Sequence, residues 1–248
     1  MTRNVLRRPA GSAQPAFYAR TGNRWGDLLA LLHPPYTAWH LSYVAYGAAL
    51  APELDLERLG GTVAAFFLGT GVAAHALDEW HSRPLGTRLP GRILLALGIG
   101  GLAASVAVAV AGAFVVSPWT LAWAAAGVFL AVGYVLEWHR LLHADLTFGL
   151  AWGGFPVLVG YWAQTEQVGV AALLVALAAT LLSLAQRALS TPARHVRRAT
   201  FEASALLESS TGTARWSREL LLATWEWPLK LLTAAAVTLA AGLLAMRW

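Results

Sequence analysis

His75, Asp78, Glu79 and His81 stand close together at the end of an apolar stretch long enough to cross a bilayer. Ionisable groups are costly at such a place and point to function. His75, Asp78 and Glu79 are spaced i, i+3 and i+4, so a helix presents all three on one face. A second group, Glu137, His139, His143 and Asp145, follows another apolar stretch. His139 and His143 have the i, i+4 spacing of a helical pair of metal ligands. Two chemistries suit these donors. Mg²⁺ takes carboxylates together with phosphate oxygens, which selects Asp78 and Glu79. Iron or zinc takes imidazole as well, which brings in His75, His81, Glu137, His139, His143, Asp145 and His40, the last a turn or so inside its own apolar run. No cysteine is present, so thiolate ligation, thiol nucleophiles and disulfides are ruled out.

These groups must be positioned by membrane elements. Hydrophobic residues make up 57% of the chain and charged residues only 12%, against roughly 25% charged in a soluble domain. Uncharged runs cover residues 36–52, 60–77, 93–116, 118–136, 146–163, 168–185 and 231–246, the last lengthened by Pro228 and Leu229. Most have the roughly 17–25 residues that a spanning helix needs. Their Gly and Ala content favours packed helices over a barrel. The expected fold is all-α: a polytopic membrane bundle of about seven transmembrane helices. Residues 28–248 form this single domain, and residues 1–27 form a flexible cytoplasmic tail. Residues 187–227 are the one sizeable non-spanning region. Within it, residues 201–207 and 216–222 both look amphipathic, so helices lying in the interface are expected on either side of a turn at 209–212.

The cations give an orientation. Of the eighteen Lys and Arg residues, sixteen fall on one side, counting the first loops and Lys230, while Arg58 and Arg247 fall on the other. This predicts a multi-pass protein of the cell (cytoplasmic) membrane with its N-terminus in the cytoplasm and its C-terminus outside. The net charge of +5 is then a matter of topology, and no nucleic-acid partner is expected. No cleavable signal peptide is expected either, because a polar, Arg-containing segment precedes the first apolar run. Trp25, Trp80, Trp119, Trp138, Trp162, Trp216, Trp225, Trp227 and Trp248 fall at or near span ends, as an interfacial belt would.

With this orientation all seven histidines, together with Asp78, Glu79, Glu137 and Asp145, lie on the cytoplasmic side. That segregation is the main pointer to a site. His33 and His195 are expected to be ordinary interfacial residues. Arg187, Arg194, Arg197 and Arg198 are positive-inside residues near lipid headgroups, or alternatively a diphosphate clamp.

The stretch from His75 through Asp78, Glu79, Arg83, Pro84 and Arg88 to Pro90 resembles the first aspartate-rich motif and following loop of the UbiA superfamily of intramembrane prenyltransferases. Residues 146–162, with Gly149, Gly153, Gly154, Pro156 and Gly160, resemble that family's fifth helix, and Tyr134 and Arg140 stand in matching places. Residues 187–194 fall where the second aspartate motif would be, with Gln186, Arg187, Ser190, Thr191 and Arg194 in place of carboxylates. The resemblance covers about residues 28–200. It implies a UbiA-like arrangement acting on an isoprenoid or other lipidic substrate through prenyl transfer or diphosphate ionisation and cyclisation.

Under that reading Asp78 and Glu79 hold Mg²⁺, with His75, His81 and Tyr134 also catalytic. Arg83, Arg187 and Arg194 meet the phosphates, and Tyr36, Trp39, Tyr43 and Trp152 line an apolar tunnel. Two alternatives stay open. One is an iron or zinc metalloenzyme that oxidises, desaturates or hydrolyses a lipid through the histidines and carboxylates. The other is a non-catalytic lipid-binding or transport protein. All three need the bilayer and a lipidic small molecule as partners, and the first two need a divalent metal.

Overall fold

The computed structural model describes residues 15–19, 23–199 and 203–247. It is mostly helical. A short helix α1 (Arg24–Leu31) leads into α2 (Pro34–Ala49), α3 (Leu56–Ser82), α4 (Gly91–Val115), α5 (Thr120–Val135), α6 (Asp145–Thr165) and α7 (Val170–Ala199). A hairpin of β1 (Ala205–Ser209) and β2 (Gly212–Trp216) follows, and α8 (Arg218–Ala245) ends the fold. Each of the seven uncharged runs folds as one helix. Five of these, α3, α4, α6, α7 and α8, are long and apolar enough to cross a membrane. α2 and α5 have 16 residues each, or roughly 24 Å, against a hydrocarbon core of roughly 30 Å.

Side-chain caps start several of these helices. Asn23 accepts the Gly26 N–H, Asp55 accepts those of Glu57 and Arg58, and Ser217 accepts that of Leu220. Large apolar side chains such as Ile99, Phe114, Phe129, Leu174, Leu177 and Leu239 are exposed around the outside. This is the surface a bilayer would cover.

α2 sits at the centre, packed against α6 and α8. The contact with α6 depends on two glycines. A Cβ on Gly47 would overlap the Val157 carbonyl oxygen, and one on Gly160 would overlap that of Val44. Backbones approach this closely only where small residues face each other. Gly160→Ala is therefore expected to cost about 2–3 kcal/mol, measured as a lowered unfolding midpoint in detergent. Trp39, Tyr43, Tyr46 and Val157 form the core around this crossing with Ala176, Ala179, Ala236 and Ala240.

α3 and α6 each contain a π-helical turn, at Phe67–Ala74 and Leu150–Gly154. Such turns re-aim the side chains that follow them and recur at functional sites. Here they precede His75 on α3 and Phe155 on α6.

The expected domain limits change at three places. Residues 15–19 and 23–27 belong to the packed body: Ala16 and Ala19 are buried against Ala30 and Leu85. The earlier part of the expected tail lies outside the described residues. Residues 187–199 continue α7, because Gln186, Ser190, Ala193 and Val196 form a buried stripe at helical spacing. Residues 205–216 form an antiparallel hairpin where interfacial helices are expected, with Ser209 opposite Gly212. Ser210 and Thr211 make its two-residue turn, and Gly212 has a φ of 139°, open to glycine but strained for other residues. The second expected interfacial helix is the start of α8. In the aromatic belt, Trp25, Trp80, Trp119, Trp138 and Trp227 are exposed, whereas Trp162 is buried. Trp248 lies outside the described residues.

Candidate functional site

The helix ends near His33, His75, Asp78 and Arg194 enclose a polar cluster. The His33 and His75 rings stack with centroids 4.2 Å apart, and His75 Nδ1 lies 3.1 Å from the Gly71 carbonyl oxygen. The Tyr18 hydroxyl lies 2.6 Å from His33 Nδ1. Burial, followed by the charges of His75, Arg198 and Arg194, holds the His33 imidazole well below its ordinary range. Burial likewise pushes the Tyr18 phenol up. The phenol thus keeps its proton and donates it to the unprotonated His33 nitrogen.

Arg194 and Arg198 lie close enough for their charges to act on Tyr18, Tyr36 and Asp78. Asp78 accepts a hydrogen bond from Ser82 at 3.2 Å. Arg194 contacts the Thr191 hydroxyl at 3.2 Å, and among the described residues no carboxylate pairs with it. Gln186 faces Tyr36.

Glu79 shares the α3 end with Asp78 but has different work. It is fully buried. Its Oε2 accepts the Leu85 N–H at 2.9 Å, and its Oε1 accepts the Thr87 N–H at 2.7 Å and the Thr87 hydroxyl at 2.9 Å. The Arg83 guanidinium donates to the Thr87 and Leu89 carbonyls at 3.2 and 2.8 Å. Buried Asp27 accepts the Arg88 N–H at 3.0 Å. Glu79 and Arg83, expected as metal ligand and phosphate contact, thus fold the loop between α3 and α4. His81 is exposed.

The second expected cluster does not form a cage. α5 stops at Val135, Glu137 takes a left-handed φ of 52°, and residues 136–144 form turns. The i, i+4 spacing of His139 and His143 therefore does not place them on one helical face. His139 Nδ1 receives the Leu141 N–H at 3.2 Å, and His143 Nδ1 lies 3.1 Å from the Tyr134 carbonyl oxygen. Glu137 stands 3.8 Å from His143 Nε2. Asp145 pairs with Arg187. Arg187 also donates to the Tyr134 hydroxyl and lies over the Phe148 ring, 5.0 Å from its centroid. Tyr134 in turn contacts Trp152, with centroids 4.5 Å apart.

A cavity of about 290 Å³ runs between α3, α4, α5 and α6, near the lower end of the roughly 300–1,000 Å³ of small-molecule pockets. On α3 it extends from Glu57 to Thr70, which is roughly 20 Å of helix. Its walls are mostly apolar, with Phe66, Trp123, Phe155 and Trp162 along one flank and Glu57 and Arg58 at the outer end. α5 and α6 barely touch, so this side is loosely closed. At the inner end stand Trp152 and His40. His40 is 8% exposed, and its Nδ1 has no hydrogen-bond partner. Trp152 connects this end to Tyr134 and Arg187, and His40 lies within electrostatic reach of His75 and His33.

Of the four residues expected to line a tunnel, Trp152 does so. Tyr36 faces the polar cluster. Trp39 and Tyr43 are fully packed core residues, where Trp39 donates its indole N–H to the Tyr43 hydroxyl. The spacing rules pass over Tyr18 and the aromatic flank of the cavity and leave His33 an ordinary interfacial residue, whereas Arg198 is among the residues of the alternative clamp and Gln186 among those in place of a carboxylate. Gln186, Ser190, Ala193 and Val196, small or uncharged residues at helical spacing between the arginines, are the signal that could have marked that helix face.

No three His, Asp or Glu side chains among the described residues converge where an ion could be held. The residues expected to ligate iron or zinc therefore do not fit such a centre. Mg²⁺ asks less of the protein, since one or two carboxylates suffice when substrate phosphates complete the shell. Asp78 alone fits that need. No protein-family model, curated protein or solved structure matches this chain.

Proposed function

We propose that the chain is a UbiA-like integral membrane enzyme that acts on an isoprenoid diphosphate or a chemically similar anionic lipid. The tail lies in the apolar cavity, and the head lies among Arg194, Arg198 and Arg187. The five long helices span the bilayer with the shorter α2 and α5 packed among them, and the basic end faces the cytoplasm. The observation that carries this reading is the junction at His40 and Trp152, where an apolar slot meets a cationic cluster.

A long apolar body with a compact anionic head matches both halves. Arg194 contributes a charge that no carboxylate among the described residues pairs with, and Arg187 is already oriented by Asp145 and the Tyr134 hydroxyl. Fixed cations in a site of low dielectric stabilise a leaving diphosphate more than water does. Mg²⁺ shared between Asp78 and the phosphates would supply further neutralisation of that charge. Trp152 and the flank of Phe66, Trp123, Phe155 and Trp162 exclude water and present π faces to an electron-poor chain.

The test is binding of geranylgeranyl diphosphate to the full chain in lipid nanodiscs. Affinity should fall with rising salt and be much weaker for the corresponding alcohol. Arg194→Gln is expected to weaken binding by about 10- to 100-fold, the range for one charge-assisted hydrogen bond. Arg140→Gln, in the turn after α5, should leave it unchanged. Equal affinity for diphosphate and alcohol would overturn the reading. Tight, Arg194-dependent binding with no conversion over hours would instead identify a lipid-binding protein.

A further inference from the structure

Three features have no chemical role in lipid diphosphate binding: the strap Pro15–Ala19 across the basic end, the exposed hairpin, and the imidazole of His40. The last is the most informative. His40 is a polar side chain, more than nine-tenths buried, at the junction of slot and cluster, and it is the one imidazole in a predominantly apolar lining. Its Nδ1 is enclosed and unpartnered, which leaves Nε2 for whatever occupies the slot. Nothing in the packing of α2 calls for it. Its neighbours at positions 39 and 43 complete the core without it, and an apolar residue would avoid an orphaned nitrogen.

Resting on the lipid diphosphate reading above, we infer that His40 is the proton acceptor of an elimination, so that the protein is a diphosphate lyase and makes an unsaturated hydrocarbon. The cavity is a slot roughly one helix-length long, and a second pocket, lined by Trp119, Trp123, Trp162, Glu166 and Gln167, adjoins its outer end rather than the inner end at His40. A carbocation formed at the inner end has His40 beside it, and the flanking aromatics keep water away. Loss of a proton is the step that remains. The C1–O bond breaks and its electron pair leaves with the diphosphate toward Arg194 and Arg198. A C–H bond next to the cationic carbon then breaks, and its pair becomes a new C=C bond. The proton goes to His40 Nε2. His75 and His33, stacked on each other, and Tyr18 beyond them form a line of exchangeable groups toward the basic end, through which intervening water returns the proton.

The experiment uses the full chain in nanodiscs with isotopically labelled geranylgeranyl diphosphate, scoring bound lipid, released diphosphate and extracted organic product. Wild type should release diphosphate and hydrocarbon in equal amounts. His40→Gln and His40→Phe should lose hydrocarbon formation by at least about 100-fold, the lower range for a general base, a far larger effect than any they have on lipid binding. Undiminished hydrocarbon from both variants overturns the assignment of His40. A wild-type product carrying the prenyl group on an added acceptor, or no turnover of bound lipid, overturns the elimination. Failure of wild type to bind the diphosphate would instead remove the underlying reading, and this inference with it.

Discussion

Replacing Glu79 with alanine should unfold the loop between α3 and α4 and cost about 3–5 kcal/mol, the cost of stranding partners of a buried charge. The carboxylate is fully enclosed and satisfies two backbone N–H groups and the Thr87 hydroxyl. With alanine, the Leu85 and Thr87 amides lose their acceptor in a place water does not reach. Glu79→Gln keeps one amide oxygen and should cost about half as much. Asp78→Asn, one residue away, should change stability by less than about 1 kcal/mol, since its hydrogen bond to Ser82 is exposed. It should nonetheless abolish turnover of an isoprenoid diphosphate. Unfolding midpoints in detergent, with protease cutting at residues 83–90 as a local probe, separate the two. Equal stability of Glu79→Ala and wild type would show that the loop is held by Arg83 and Asp27 alone.

That contrast also marks what the sequence made legible. The seven helices could be read because absence of charge over a bilayer-sized length is nearly sufficient to define a buried helix. Helical spacing correctly placed His75, Asp78 and Glu79 on α3. It could not say that the chain after Arg83, itself at a left-handed φ of 53°, turns back over Glu79 and fills both of its oxygens. Spacing failed for His139 and His143 because it presumes a helix, and Glu137 ends one. The Arg-rich stretch 187–199 reads as a loop by charge, whereas the stripe of Gln186, Ser190, Ala193 and Val196 keeps it helical and aims Arg194 into the site. The aromatic flank was hidden for another reason. Trp123, Phe155 and Trp162 look the same in sequence whether they meet lipid tails outside the bundle or a lipid within it.

The other large effect is expected at Glu226. Its carboxylate, on α8, pairs bidentately with Arg197 on α7, and the two side chains are only 9% and 16% exposed. Both helices carry a proline nearby, Pro192 and Pro228, which removes backbone hydrogen bonds and leaves their relative placement to side chains. Glu226→Ala should therefore cost about 3–5 kcal/mol, because it leaves a guanidinium in a poorly solvated place without its carboxylate. The paired replacement R197M/E226L should recover most of that loss, since apolar residues of similar volume avoid the desolvation penalty. If the double variant is as unstable as the single one, the pair does more than neutralise itself. Its position then supplies the reason. Arg197 lies between Arg194 and Arg198 in sequence, and the charge of Glu226 reaches Tyr36. Glu226→Gln should accordingly lower the unfolding midpoint while leaving binding of an anionic lipid undiminished, because the change removes a negative charge beside the cationic cluster. A loss of binding in parallel with stability would mean instead that α7 needs this pair to hold Arg194 in place.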